Sequence, residues 1–138
     1  MRVGEIMSRN VISVPVDATL TETSELMRNH DIGFLPVIAS DIVVGAVTDR
    51  DIVVRGIAEG KNPYVAQVQY VMSTKPVCCY EDDVLTDAAD ILAENHLHRL
   101  VVVDDNNKLC GLLSIDDLAA HMSSDRILSD LLRHVSAA

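Results

Sequence analysis

The chain has 138 residues, 49% of them hydrophobic, which suits one ordinary domain able to bury roughly two thirds of its unfolded surface. Its formal charge of −10 opposes a nucleic-acid partner, because phosphate contacts need clustered Lys and Arg. No run approaches the roughly 18 apolar residues of a membrane span, and Met1-Arg2-Val3-Gly4-Glu5 leads into no signal-peptide core, so the expected setting is the cytoplasm, with no membrane partner.

In chain order, Val11-Ile12-Ser13-Val14 follows Met7-Ser8 as a short extended run beside Pro15, which suits a strand. Thr19-Leu20-Thr21-Glu22 has the form of a capping box, with the Thr19 hydroxyl accepting from a first-turn amide and Glu22 reaching back. A helix follows, with Leu20, Thr23 and Met27 on one face. Leu35-Pro36-Val37-Ile38 reads as a buried strand, and Ala39-Ser40-Asp41 as the turn of a hairpin closed by Ile42 to Val47. Thr48 is a natural N-cap for a second helix from about Asp49 to Ala58, and the carboxylates of Asp49 and Asp51 suit its first turn. Gly56, Gly60, Asn62 and Pro63 mark a linker, and Tyr64 to Val68 reads as a short helix leading onward.

The same order then recurs. Met72-Ser73 answers Met7-Ser8, and Val77-Cys78-Cys79-Tyr80 answers the first strand. Leu85, Ala88, Ala89 and Leu92 repeat the helical stripe, with Asp83 expected to cap where Val84 replaces the Thr. Leu100-Val101-Val102-Val103 and Leu109 to Leu113 form the second hairpin across Asp104-Asp105-Asn106-Asn107-Lys108, and Ser114 caps a helix from about Ile115 to His121. The offset of 65 residues slips to 66 after an insertion near Asn106. The chain is therefore an α/β protein of two equivalent strand-helix-strand-strand-helix units, residues 1–60 and 61–121, with 122–138 as a C-terminal helix or tail. Ile127, Leu128, Leu131, Leu132 and Val135 line one face of that tail, which either packs on its own module or makes a dimer contact.

Met-Ser, a capped helix, a hydrophobic strand and then Gly-Ala-Val-Thr48-Asp-Arg-Asp51 or Gly-Leu-Leu-Ser114-Ile-Asp-Asp117, repeated in order, resembles the cystathionine beta-synthase (CBS) domain pair. The match is to short stand-alone prokaryotic examples of this family and spans residues 1 to about 121. The resemblance implies a non-enzymatic regulatory module that binds an adenosine-containing ligand such as AMP, ADP or ATP in the clefts between its repeats. It also implies a homodimer and a regulated protein partner. It implies no required cofactor. Thr48 and Ser114, at helix starts, suit a phosphate. The resemblance implies that Asp51 and Asp117 accept from ribose hydroxyls, the role of this position in the family. His98-Arg99 matches the family's His-Arg element facing the phosphates, whereas the first copy has Gly33-Phe34, where Arg50 compensates. Ile12 and Val77, on the first strands, complete the candidate set. One competent phosphate site and one weaker or empty site are expected.

Other constellations carry less. His96-x-His98 lacks a third ligand at metal spacing, so no metal site is assigned. Three cysteines, Cys78, Cys79 and Cys110, are an odd number without a C-x-x-C motif and read as small apolar residues. No Walker lysine motif, dinucleotide fingerprint or nucleophile triad is present. Two rivals stand beside the sensor reading. One is an interaction or structural module whose clefts stay empty; the other is a small nucleotide-processing enzyme.

Overall fold

The computed structural model describes residues 1–121. The elements run α1 (Val3–Ile6), β1 (Val14–Pro15), α2 (Leu20–His30), β2 (Phe34–Ala39), β3 (Ile42–Thr48), α3 (Asp49–Asp51) continuing as a π-helical stretch (Ile52–Ile57), and a 3₁₀ turn (Val68–Tyr70). They continue with β4 (Cys78–Tyr80), α4 (Leu85–Glu94), β5 (Arg99–Val103), β6 (Leu109–Ser114) and α5 (Ile115–His121). Two compact units result: a contiguous unit, Ile12–Pro76, and a composite unit built from Met1–Val11 together with the chain from Val77 onward. The apolar stripe expected from Ile127 to Val135 lies outside the described residues.

Each unit holds one three-stranded sheet, β1-β2-β3 or β4-β5-β6, whose first pair is parallel and second pair antiparallel. The parallel step needs a crossover, which α2 and α4 supply. The strand-helix-strand-strand-helix order is thus present in both units. Both hairpins carry a register shift at matching places, between Val37 and Ile38 and between Val102 and Val103. Their turns differ. Ser40 and Asp41 both adopt positive φ (50° and 67°), as a two-residue hairpin with the twist of its strands requires. The longer second turn is instead held by Asp104, whose Oδ1 accepts from the amides of Asn106 (2.8 Å) and Lys108 (3.0 Å).

In the contiguous unit Leu20 and Met27 of α2 pack with Leu35, Val37 and Val47 of the sheet. In the composite unit Leu85, Ala88, Ala89 and Leu92 of α4 pack with Leu100, Val102 and Leu113, and Leu118 of α5 joins them. The Thr19 box forms as the sequence leads one to expect: Glu22 N–H donates to Thr19 Oγ1 (3.1 Å) and Thr19 N–H to Glu22 Oε1 (3.2 Å). Asp83 does not cap α4. Val84 is the N-cap without a side-chain bond, and Asp83 Oδ2 accepts from Tyr80 N–H (2.9 Å), tightening the turn after β4 instead.

Three further expectations change. The first strands are shorter than the apolar runs, at Val14–Pro15 and Cys78–Tyr80. The Tyr64–Val68 helix does not form, because Asn62 gathers the chain into a turn, accepting from Tyr64 and Ala66 amides (3.0 and 2.8 Å), and Ala66 O is then taken by Leu20 N–H (2.9 Å). The helix after Thr48 leaves α geometry at Ile52, where Gly56 lies against α2: a Cβ there would stand 2.8 Å from Leu20 Cδ1.

The Met-Ser pairs explain the composite unit. Ser8 and Leu112 exchange two backbone hydrogen bonds of 2.9 Å each, and Ser73 and Ala46 do the same at 2.9 and 3.1 Å. Gly111 and Gly45 permit this approach: a Cβ at Gly111 would meet Met7 Sδ at 2.6 Å and Ser8 O at 2.8 Å, and one at Gly45 would meet Met72 Sδ and Ser73 O, both at 2.6 Å. Each Met-Ser therefore closes the hairpin of the repeat other than the one it opens in sequence. Arg2 Nη1 donating to Asp82 O (2.8 Å) and the Arg9–Glu81 ion pair (3.5 Å) further bind Met1–Val11 to the composite unit.

Candidate functional site

In both units the hairpin ends where the second helix begins, and the same four positions converge there. Phe34 pairs with Thr48 across β2 and β3, and Arg99 pairs with Ser114 across β5 and β6. The residue before each strand is tied to the helix start: Asp49 N–H donates to Gly33 O (3.0 Å) and Ile115 N–H to His98 O (2.9 Å). Strand entry and helix entry are thus neighbours by backbone geometry.

Reciprocal caps fix the polar side chains. Asp51 N–H donates to Thr48 Oγ1 (3.1 Å) while Thr48 N–H donates to Asp51 Oδ2 (2.9 Å). Asp117 N–H donates to Ser114 Oγ (3.1 Å) while Ser114 N–H donates to Asp117 Oδ2 (2.9 Å). Each box satisfies two amides that the first turn leaves without partners. In each, one carboxylate oxygen is spoken for, and the other, Oδ1, has no hydrogen bond among the described residues. Both aspartates are half-buried, which limits the water that can compete for the free oxygen.

The composite unit brings together His98, Arg99, Ser114 and Asp117; His98 is exposed and Arg99 half-buried, with no ion pair to Arg99 among the described residues. The contiguous unit brings together Gly33, Phe34, Thr48, Arg50 and Asp51, with Arg50 exposed. Ile12 and Val77 are half-buried against the cores of their own units, just ahead of β1 and β4. Asp49, which the sequence marks only as a helix-start carboxylate, lies over Gly33, at the place where the other copy has His98 and Ile115.

The remaining groups offer little chemistry. Burial first, then the charges of Asp83 and Cys78, push the Cys79 thiol up to about 12, and burial also raises Cys78 and Cys110, so none is an activated nucleophile. Among the described residues no cluster of three or more His, Cys, Asp or Glu could hold a metal ion. No described helix is long and apolar enough to cross a membrane.

Comparison with known proteins agrees with this architecture. The family model for the CBS domain matches residues 3–56 and 65–124. The chain is 34% identical over 134 residues to the CBS domain-containing protein YhcV of Bacillus subtilis, covering 97% of this chain and 94% of that one. It superimposes on the CBS domain protein TA0289 of Thermoplasma acidophilum with a TM-score of 0.84 at 29% identity, covering 97% of this chain and 75% of that one. CBSX2, solved in complex with AMP, is similar at a TM-score of 0.75 and 27% identity, covering 86% of this chain and 93% of that one. The chain belongs to the CBS-domain family and carries two copies of the domain.

Proposed function

We propose that this CBS pair is a non-enzymatic sensor that binds an adenosine-containing ligand, AMP, ADP, ATP or a close relative, and passes its occupancy to a regulated protein. The observation that carries the reading is the pair of half-buried aspartates, Asp51 and Asp117, each anchored through Oδ2 with Oδ1 left to accept. A fixed carboxylate of this kind suits the vicinal hydroxyls of a ribose, and a charged hydrogen bond is worth about 1.5–3 kcal/mol. Ser114 and Thr48 contribute hydroxyls beside it, and Arg99 with His98 supplies the cationic contact for a phosphate. Ile12 and Val77 offer apolar surface for the base. The AMP complex of CBSX2 supports the ligand class. The raised thiols, none of them a poised nucleophile, favour binding over turnover.

The protein works as a cytoplasmic homodimer in this reading. Val53, Val54 and Ile57 of the π-helical stretch expose apolar surface that a second copy would cover. Calorimetry with adenosine and AMP on the parent and Arg99→Ala is the direct test. The variant should lose more affinity for AMP than for adenosine, and raised salt should weaken AMP binding to the parent more than to the variant. Absence of binding by the parent to every adenine ligand would leave the empty interaction module as the better account.

A further inference from the structure

The two copies differ in the sign of the charge at one place. His98 and Gly33 occupy equivalent positions ahead of β5 and β2, and each carbonyl accepts from the first residue of the following helix, Ile115 (2.9 Å) or Asp49 (3.0 Å). In the composite unit that position carries an imidazole and the helix residue is apolar. In the contiguous unit the position has no side chain, and the carboxylate of Asp49 fills the space: a Cβ on residue 33 would lie 2.7 Å from Asp49 Oδ2, 3.0 Å from its Cγ and 3.2 Å from its Oδ1. The carboxylate is held there, since Oδ1 accepts from Arg50 N–H at 2.9 Å. Among the described residues no ion pair joins the exposed Asp49 to the Arg50 guanidinium.

We infer that Asp49 is a specificity-determining residue that excludes phosphate from the contiguous unit's binding position, which therefore takes a nucleoside whose 5′ substituent is neutral or cationic. The inference rests on the adenosine reading above and divides its ligands between the two units: phosphorylated at His98-Arg99, unphosphorylated at Gly33-Asp49. A carboxylate and a phosphate a few ångströms apart repel even in water, by an energy that corresponds to about three- to tenfold in affinity. Gly33 contributes by leaving the room that the carboxylate occupies.

The test is calorimetry of the full chain with adenosine and with AMP on the parent, Asp49→Asn and Asp41→Asn. The carboxamide introduced by Asp49→Asn keeps an oxygen for the Arg50 N–H. Asp41→Asn makes the same change of charge in the β2–β3 turn, at the far end of the hairpin, about 25 Å away at strand spacing. Asp49→Asn should tighten AMP at the weaker position by about three- to tenfold, less at high salt, and leave adenosine unchanged, while Asp41→Asn alters neither. Unchanged AMP affinity in Asp49→Asn, with adenosine still bound, overturns the filter and leaves the binding reading intact. Equal tightening in Asp41→Asn overturns it in favour of net charge. Failure of adenosine and AMP to bind any of the three proteins overturns the binding reading itself, and the filter with it.

Discussion

Replacing Gly111 by Ala should loosen the N-terminal segment from the composite unit. The new Cβ would stand 2.6 Å from Met7 Sδ and 2.8 Å from Ser8 O, closer than real Cβ contacts come. The sulfur can rotate away, because Met is unbranched and adaptable. The carbonyl cannot, since it accepts from Leu112 N–H at 2.9 Å while Ser8 N–H donates to Leu112 O at the same distance. The structure must either retain the strain of an overfilled contact, about 1–3 kcal/mol, or shift the segment and lose two backbone hydrogen bonds at about 0.5–1.5 kcal/mol each. Both routes lead to about 1–3 kcal/mol, a drop of roughly 3–10 °C in Tm for a protein of this size. Thermal unfolding gives the magnitude and hydrogen exchange the location: the Ser8 and Leu112 amides should lose protection while those of β2 and β3 keep theirs. Adding Met7→Ala should recover only part of the loss. A Tm within about 1 °C of the parent, with Ser8 still protected, would refute the reasoning.

Other expectations follow from the same geometry. Asp117→Ala should lower stability by about 0.5–2 kcal/mol in chemical denaturation as well as weaken nucleotide binding, because the carboxylate closes a cap; Asp117→Asn, which can still accept from Ser114 N–H, should keep most of the stability. Cys79, with its thiol raised to about 12, should resist iodoacetamide in the folded protein. Its folded pKa lies above the unfolded value of 9.0, so the folded state holds the proton longer. The stabilisation it reports is complete below pH 9 and is lost as pH rises towards 12, and Cys79→Val should flatten that alkaline decline in Tm. Light scattering should give at least a dimer mass at micromolar concentration, and a monomer with and without nucleotide would exclude the homodimer.

Much of this was legible because the signals are local. Thr19-x-x-Glu22 specifies its cap through residues three apart, Thr48 is a cap by its own hydroxyl although the reciprocal bond to Asp51 went unread, and the hairpins follow from apolar runs around turn residues. The stripe Leu85, Ala88, Ala89, Leu92 is wholly buried, as its period requires. What escaped depends on partners distant in sequence. Whether Asn62 starts a helix or a turn is decided by Leu20 reaching Ala66 O, and the π geometry after Ile52 accompanies the contact of Gly56 with Leu20. The place of Asp49 over Gly33 was available as an alignment of Gly33 with His98, but a missing side chain does not announce what fills its space.

The docking of Met7-Ser8 on Gly111 and Leu112 bears on how the protein is made. The contiguous unit, Ile12–Pro76, has all its residues once synthesis passes Pro76 and can fold while the rest is still being added. The first eleven residues leave the ribosome before any of it, yet their place on β6 exists only when the end of the second hairpin has emerged. They must wait until Leu112, 104 positions after Ser8, has been made, and joining the two segments is a non-local step that carries the entropy of closing a long loop. A permuted chain that begins at Ile12 and carries Met1–Val11 after its present C-terminus would make that segment last, next to its partners in time. It should fold faster than the natural order while reaching the same final pairing of Ser8 with Leu112.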